Sequence, residues 1–525
     1  MRPAAWIWLR RASQVTFFLV AGALVAATTY PLGRALPYDI IPRFSPLLAL
    51  TAMAASRALV AAFWPALLTV ALTLLFGRAF CGWVCPLGAA LDGADALISK
   101  RKKEGDKPRR RHWRLLLLVV LLLLSAFGIA AAGWLDPLSL FPRTLAAAFI
   151  PYVTLAFDGA TRLLYRLGVW EDAAAALRQR FLVENVSAFP GHLVVSTLFV
   201  AIIFLGLARR RFYCRYLCPA GALLSVVGWA SPFGRRVSSA CSDCNTCLHI
   251  CRMGAIGARG RATATAECTL CMDCLAACPG DAVSFGFGRR RAADNPTSWA
   301  PAMTRRGFLV TTGATLAASP AALALDSRIT PHPYLIRPPG AVTEEGEFLA
   351  RCVRCGECVR VCLTQGLVPV HFEAGLTGLW TPTLAPRRGY CEYRCTLCTE
   401  VCPTDAIKLL SEEQKKKEII GVVIIDRDRC LPWADDEDCN VCEEMCPTAP
   451  KAIELKGPGR LKPHVVVDEC VGCGICEYAC PTADPAAIRV VGDRSREFAE
   501  IVAGRRNTYF GQGREPQGRR EVNVN

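Results

Sequence analysis

The sequence predicts an α-helical membrane domain joined to small cysteine-rich α+β domains. Three observations carry this. Apolar runs of membrane length crowd the first 210 residues, 28 cysteines fall mostly into tight groups of four, and the two patterns barely overlap along the 525-residue chain. Twenty-eight cysteines exceed what a soluble enzyme of this size uses, and secreted disulfide proteins of that density are short and lack membrane spans. The net charge of +16 sits largely in short loops beside apolar runs, Lys100 to Arg114 above all, which is the pattern of an orientation signal and not of a nucleic-acid surface.

Four spans of about 20 residues are expected, at Val15–Tyr30, Leu59–Phe76, Leu115–Gly133 and Gly191–Leu207. The apolar piece 47–56 reads as interfacial or re-entrant, and residues 144–190 as surface helices. Lys and Arg are dense before the first span, between the second and third, and after the fourth. The amino terminus and residues 209–303 are therefore expected in the cytoplasm. An internal repeat is visible: the second span runs into Cys81-Gly82-Trp83-Val84-Cys85-Pro86, the fourth into Cys214-Arg215-Tyr216-Leu217-Cys218-Pro219. Cys81, Cys85, Cys214 and Cys218 could ligate a metal, act as redox dithiols or border a quinone pocket. They could also be small residues packed at helix ends.

The quartets follow. Cys241, Cys244, Cys247, Cys251 and Cys268, Cys271, Cys274, Cys278 are both spaced x2, x2, x3. This is the bacterial ferredoxin run, in which three thiolates hold one [4Fe–4S] cluster and the fourth ligates its neighbour. Cys241, Cys244, Cys247 with Cys278, and Cys268, Cys271, Cys274 with Cys251, are the expected sets. Zinc sites join separated pairs instead. Arg252 stands where the run usually has proline. After a basic linker come four more quartets: Cys352, Cys355, Cys358, Cys362; Cys391, Cys395, Cys398, Cys402; Cys430, Cys439, Cys442, Cys446; and Cys470, Cys473, Cys476, Cys480. The outer two are tight and the inner two loosened, which suggests nested pairing: Cys352, Cys355, Cys358 with Cys480; Cys470, Cys473, Cys476 with Cys362; Cys391, Cys395, Cys398 with Cys446; Cys430, Cys439, Cys442 with Cys402. Sequential pairing is the alternative. Six [4Fe–4S] clusters are expected in all. Thr304-Arg305-Arg306-Gly307-Phe308 and the apolar run to Leu325 look like a twin-arginine export signal in mid-chain, read as a retained fifth helix.

The expected domains are a membrane domain (1–232), a cytoplasmic two-cluster domain (233–290), a linker and signal-anchor helix (291–343), a periplasmic four-cluster domain (344–490) and a polar tail (491–525). No haem-attachment motif, P-loop or dinucleotide fingerprint occurs, and no terminal catalytic site is legible. Asp39, Asp136 and Glu184 are candidate proton acceptors, each more simply an interfacial acid.

Residues 1–290, with their spans, two C-x3-C-P motifs and two quartets, resemble the NapH-type membrane ferredoxins. Residues 303–490, opening Met303-Thr304-Arg305-Arg306-Gly307-Phe308, resemble the NapG-type (MauM/NapG) periplasmic ferredoxins. The resemblance implies a quinol dehydrogenase of the bacterial inner membrane, feeding a periplasmic reductase or cytochrome c-type carrier. The alternatives are electron delivery during maturation of a periplasmic metalloenzyme, or transfer from a cytoplasmic donor.

Overall fold

The computed structural model describes residues 3–32, 37–98, 112–167, 191–288, 305–328 and 335–492. Glu184, Met303, Thr304, most of the Lys100–Arg114 loop and nearly all of the polar tail lie outside them.

The described residues up to 230 form a helical bundle. Helix α1 (Pro3–Ala27) carries Arg10, Arg11, Ser13 and Gln14 in its first half, is apolar beyond them, and leaves Trp8, Val15, Phe17, Leu19 and Val20 exposed, a surface suited to lipid or a partner. Helix α2 (Pro46–Ser56) is started by Ser45, whose hydroxyl accepts from Leu48 N at 3.3 Å, and by Pro46 in its first turn. Helix α3 (Trp64–Phe76) stops at Gly77, at φ +60°. Helices α4 (Pro86–Ile98), α5 (His112–Ala126), α6 (Pro137–Arg166), α7 (Gly191–Ala208) and α8 (Pro219–Val227) complete it.

Among the described residues two helices, Ala4–Ala27 and Pro137–Arg166, are long and apolar enough to cross a membrane. Of the four expected spans and the fifth helix, only the first coincides with one of them. The other three expected spans are helices of 13, 15 and 18 residues, about 20 to 27 Å long at 1.5 Å per residue, against a hydrocarbon core of about 30 Å. Leu59 and Val60 precede α3 outside any helix, and Gly128 at φ +89° follows the end of α5. Residues 137–166 were expected as a turn and surface helices. Their prolines Pro142 and Pro151 do not break α6, because a π turn at Leu145–Phe149 lies between them. The mid-chain arginine stretch is helical, α11 (Arg305–Arg328), and packs along α5.

One small plan recurs three times among the described residues: an outer strand pair enclosing an inner hairpin or bridge and two very short helices. In residues 233–287 the outer pair is β1 (Phe233–Val237) with β2 (Val283–Phe287), antiparallel, around the bridge Ile256↔Thr263 and helices α9 (Thr246–Ile250) and α10 (Asp273–Ala276). The second copy has the bridge Ala341↔Ile407 outside β3 (Leu367–Pro369) and β4 (Pro382–Leu384). It follows α12 (Glu345–Arg351) and holds α13 (Glu357–Val361) and α14 (Leu397–Glu400). In the third, β5 (Val422–Ile425) pairs with β8 (Ile488–Val491) around the hairpin β6 (Ile453–Lys456) and β7 (Lys462–Val465). Helices α15 (Val441–Glu444) and α16 (Ile475–Ala479) complete it. The last two copies share one core running from Ile336 to Val490.

The cysteine-rich units grip the bundle at its two ends. Arg10 on α1 pairs with Asp273 of the first unit, and Ala26 on the same helix accepts from Arg360 of the second. Sixteen residues of helix separate the two contacts, about 24 Å.

Candidate functional site

The spacing of each quartet lets a short helix present three sulfurs on one side of a loop. The structure then decides which fourth sulfur joins them. Cys241, Cys244, Cys247 and Cys278 line one cavity of about 370 Å³, the expected set. Cys268, Cys271 and Cys274 gather around Cys251, again as expected.

The nested pairing of the other four quartets is corrected. Cys391, Cys395 and Cys398 line a cavity of about 410 Å³ with Cys362, and Cys430, Cys439 and Cys442 one of about 380 Å³ with Cys480. Correspondingly, Cys352, Cys355 and Cys358 lie with Cys402, and Cys470 and Cys473 with Cys446. Adjacent quartets pair because their short helices pack together, α13 on α14 and α15 on α16. Closing the shorter loops also costs less entropy. The loosened spacing of the inner quartets carries no partner information.

Four sulfurs in each of these three cavities, with no histidine in their linings, suit iron–sulfur ligation. Among the described residues no three His, Cys, Asp or Glu side chains are placed to hold a single metal ion. Backbone donors already point at them: Ala255 N to Cys251 Sγ at 3.2 Å and Ile407 N to Cys402 Sγ at 3.4 Å. In residues 335–492 every quartet ends Cys-x-Thr, and the hydroxyl stands beside the sulfur: Thr364 and Thr404 at 3.8 Å, Thr448 at 3.3 Å, Thr482 at 3.2 Å. This repeated threonine was readable in the sequence and missed. The quartets at 241–278 lack it; there Arg235 donates to Cys247 Sγ at 3.3 Å instead.

The unit at 233–287 is docked by buried charge. Glu267 pairs with Arg78, at 3.2 Å, and with Arg114. Arg252 bridges Asp92 of α4 at 3.1 Å and Asp273 at 2.5 Å, while Asp92 also accepts from Arg211 and Gln14. So the arginine replacing proline after Cys251 is a docking residue. Gly82 admits the backbone of Thr269, whose carbonyl would lie 2.3 Å from a Cβ there, and Trp83 Nε1 donates to Leu270 O at 3.0 Å. At the other end Gly133 meets Val353, with 2.4 Å from a built Cβ to its carbonyl. Ser139 Oγ donates to that carbonyl at 2.9 Å, and Arg143 to Gly133 O at 3.0 Å. Glu357, between Cys355 and Cys358, is fully buried, which pushes its carboxyl up to about 8.

Cys85, Cys214 and Cys218 are buried inside the bundle, with Cys81 half-buried beside them. One continuous packed cluster joins Cys85, Cys214 and Cys218 to Cys251 and Cys268 on one side and to Val353 and Cys355 on the other. Of the candidate proton acceptors, Asp136 is spoken for as a helix cap, accepting from Leu138 N at 2.8 Å and from Ser45 Oγ at 2.7 Å. Asp39 pairs with Arg43.

Comparisons with known proteins agree on the chemistry. The family model described as "4Fe-4S binding domain" matches residues 58–103 and 191–238, and "4Fe-4S dicluster domain" matches residues 390–449. The dicluster match spans both inner quartets, but a match along the sequence does not say which sulfurs share a cavity, and the cavities pair each inner quartet with its outer neighbour. The chain is 35% identical over 193 residues to the methylamine utilization ferredoxin-type protein MauM of Methylorubrum extorquens, covering 35% of this chain and 79% of that one. The ferredoxin-type protein NapG of Escherichia coli is 34% identical over 185 residues, 33% of this chain and 79% of NapG. The putative electron transport protein YccM of Escherichia coli is 27% identical over 299 residues, 56% of this chain and 72% of YccM. No solved structure matches the chain.

Proposed function

We propose, for a chain that belongs to the ferredoxin-type 4Fe-4S proteins related to MauM and NapG, that it is a membrane-spanning iron–sulfur relay. It carries electrons through the helical bundle between the cysteine sites at 241–278 and those at 352–480, and on to a periplasmic acceptor. Six [4Fe–4S] clusters on the 24 quartet cysteines would supply one-electron redox chemistry. The observation that carries the reading is the packed cluster running without a break from Cys251 and Cys268 through the bundle cysteines to Cys355.

The chain's own residues serve such a relay in three ways. Thiols are gathered into four-sulfur cavities, with backbone donors aimed at individual sulfurs. Buried arginine–carboxylate pairs fix the unit at 233–287 against the bundle, and buried ions broken singly are costly enough to keep it there. Gly82 and Gly133 let backbone approach backbone at the two interfaces, so that neither end is spaced off by a side chain.

Helix α1 touches both cysteine-rich units, so if it spans the bilayer they lie on opposite faces. Residues 233–287 then lie on the cytoplasmic side, the side the basic loops favour, and residues 335–492 on the periplasmic side. The donor the family resemblance implies is a quinol reaching the bundle from the lipid; the acceptor is a periplasmic reductase or cytochrome c-type carrier.

The test uses the full-length protein in sealed liposomes with one impermeant reductant outside and an impermeant acceptor inside. Acceptor reduction at a rate far above that of empty vesicles is expected. Reduction confined to the clusters on the reductant's side refutes the relay. Adding a quinol analogue in place of the impermeant reductant tests the donor: clusters that stay oxidised exclude quinol.

A further inference from the structure

Each 4Fe-4S binding-domain match in the bundle, 58–103 and 191–238, contains only two cysteines. Cys81 and Cys85 lie in the first, Cys214 and Cys218 in the second. The fold brings both pairs to one cavity. It has a volume of about 480 Å³ and is lined by Cys81, Cys85, Cys214 and Cys218, with Arg78 and Tyr213. Every pair among the four thiols lies within electrostatic reach. Among the described residues, three other cavities with four cysteines on their walls are built from ferredoxin quartets, three sulfurs from one and the fourth from its neighbour. The bundle cavity has the same four-sulfur lining.

The local backbone repeats as well. In each half a Cys-Pro-x-Gly turn opens a helix, and the glycine N–H is turned back on the cysteine. Gly221 N donates to Cys218 Sγ at 3.2 Å, and Gly88 does the same for Cys85. A Cβ on Gly221 would stand 2.6 Å from Arg78 Nη2, so the glycine also leaves room for the guanidinium over the sulfur.

Arg78 supplies an independent indication. It is 0% exposed and lines the cavity, yet its Nε and Nη2 have no partner, only Nη1 being used by Glu267. Leaving charged donors buried and unsatisfied costs several kcal/mol. A thiolate-bound cluster, which is anionic, would satisfy them. The cavity asks for sulfur-seeking iron and negative charge together.

We propose that Cys81, Cys85, Cys214 and Cys218 hold a seventh iron–sulfur cluster, of [4Fe–4S] type, inside the helical bundle, with Arg78 as its buried counter-charge. The site lies within the packed cluster that joins Cys268 to Cys355. The proposal stands on the cavity itself: it can fail while the 24 quartet cysteines keep their clusters, and the relay can fail with the seventh cluster in place.

The experiment is native mass spectrometry of the full-length, anaerobically purified protein, with low-temperature electron paramagnetic resonance during a redox titration. Seven cluster increments are expected for the wild type, six for Cys214→Ser/Cys218→Ser, and the loss of one resonance in that variant. Arg78→Gln retains every thiol, so it serves if the serine variant does not fold. It is expected to keep seven clusters and to lower the midpoint potential of the bundle cluster most, with a smaller shift at the neighbouring site of Cys268, which also feels Arg78. A wild type with six clusters overturns the proposal, whether the cavity then holds a quinone, a disulfide or free thiols. So does an Arg78→Gln protein whose potentials are all unchanged.

Discussion

Gly133→Ala is the sharpest probe of the route into residues 335–492. The new Cβ would lie 2.4 Å from Val353 O and 2.9 Å from Val353 C, where ordinary contact begins near 3.4 Å. About an ångström must be gained, and backbone stands on both sides, so no side chain can swing away. Overpacking of this kind costs about 1–3 kcal/mol. The strain falls on a contact that also carries the Ser139 and Arg143 bonds to Val353 and Gly133. A tenfold change per 1.4 kcal/mol makes the docking equilibrium constant fall about fivefold to a hundredfold, which is the most the docked population can drop. Val353 sits beside Cys352 and two residues before Cys355, while no cysteine is itself displaced. In the liposome assay the variant should hold its full cluster content, with reduction of the clusters at 352–480 slowed by up to that factor and those at 241–278 reduced at the wild-type rate. Equal rates at both ends would show that electrons do not enter by this contact.

Glu267→Gln removes the carboxylate shared by the buried Arg78 and Arg114; breaking such a pairing costs about 3–5 kcal/mol, and limited proteolysis should release a fragment ending in residues 233–287 much sooner than from wild type. Thr482→Val deletes the hydroxyl 3.2 Å from Cys480 Sγ. With a bond to a charged acceptor worth about 1.5–3 kcal/mol, and only part of that differing between redox states, one midpoint should fall by tens of millivolts in a redox titration, and an unchanged set of midpoints would dismiss the threonine as a tuning group. Iron removal by chelation should unfold residues 335–492, because ligand binding there is folding energy; circular dichroism that is insensitive to iron would contradict this. If α11 is retained, the chain runs as one band on a denaturing gel of the membrane fraction, and a fragment of about 200 residues in the periplasm would mean it is cut.

The cysteine chemistry was legible because quartet spacing is local: three sulfurs on one loop are dictated by a few residues. Partner choice is not local. The symmetry of tight outer and loose inner quartets suggested nesting, whereas the pairing is set by which short helices pack. The helix at 137–166 was hidden by its own prolines, whose disruption a π turn absorbs. Charge misled in a different way. Arg10, Arg78, Arg114 and Arg211 count toward the basic pattern flanking the apolar runs, yet each is 1% exposed or less. Sequence position identified the end of the bundle they occupy, but not that they are turned inward, Arg10, Arg78 and Arg114 to clasp the docked unit and Arg211 to pair with Asp92. Arg252, noted only as a departure from a motif, proved to be the link between Asp92 and Asp273.

The crossed ligation of the quartets has a consequence for how the protein is made. Because Cys362 completes the neighbouring site at 391–398 and Cys402 the site at 352–358, neither half of a pair can be finished alone. A chain lacking one cluster leaves a stray sulfur in the other's wall. Meanwhile Val353, between two ligands, is sealed against Gly133 once the halves of the molecule meet. Removing one quartet of a pair should therefore cost both sites a ligand, so the two sites of a pair are gained or lost together.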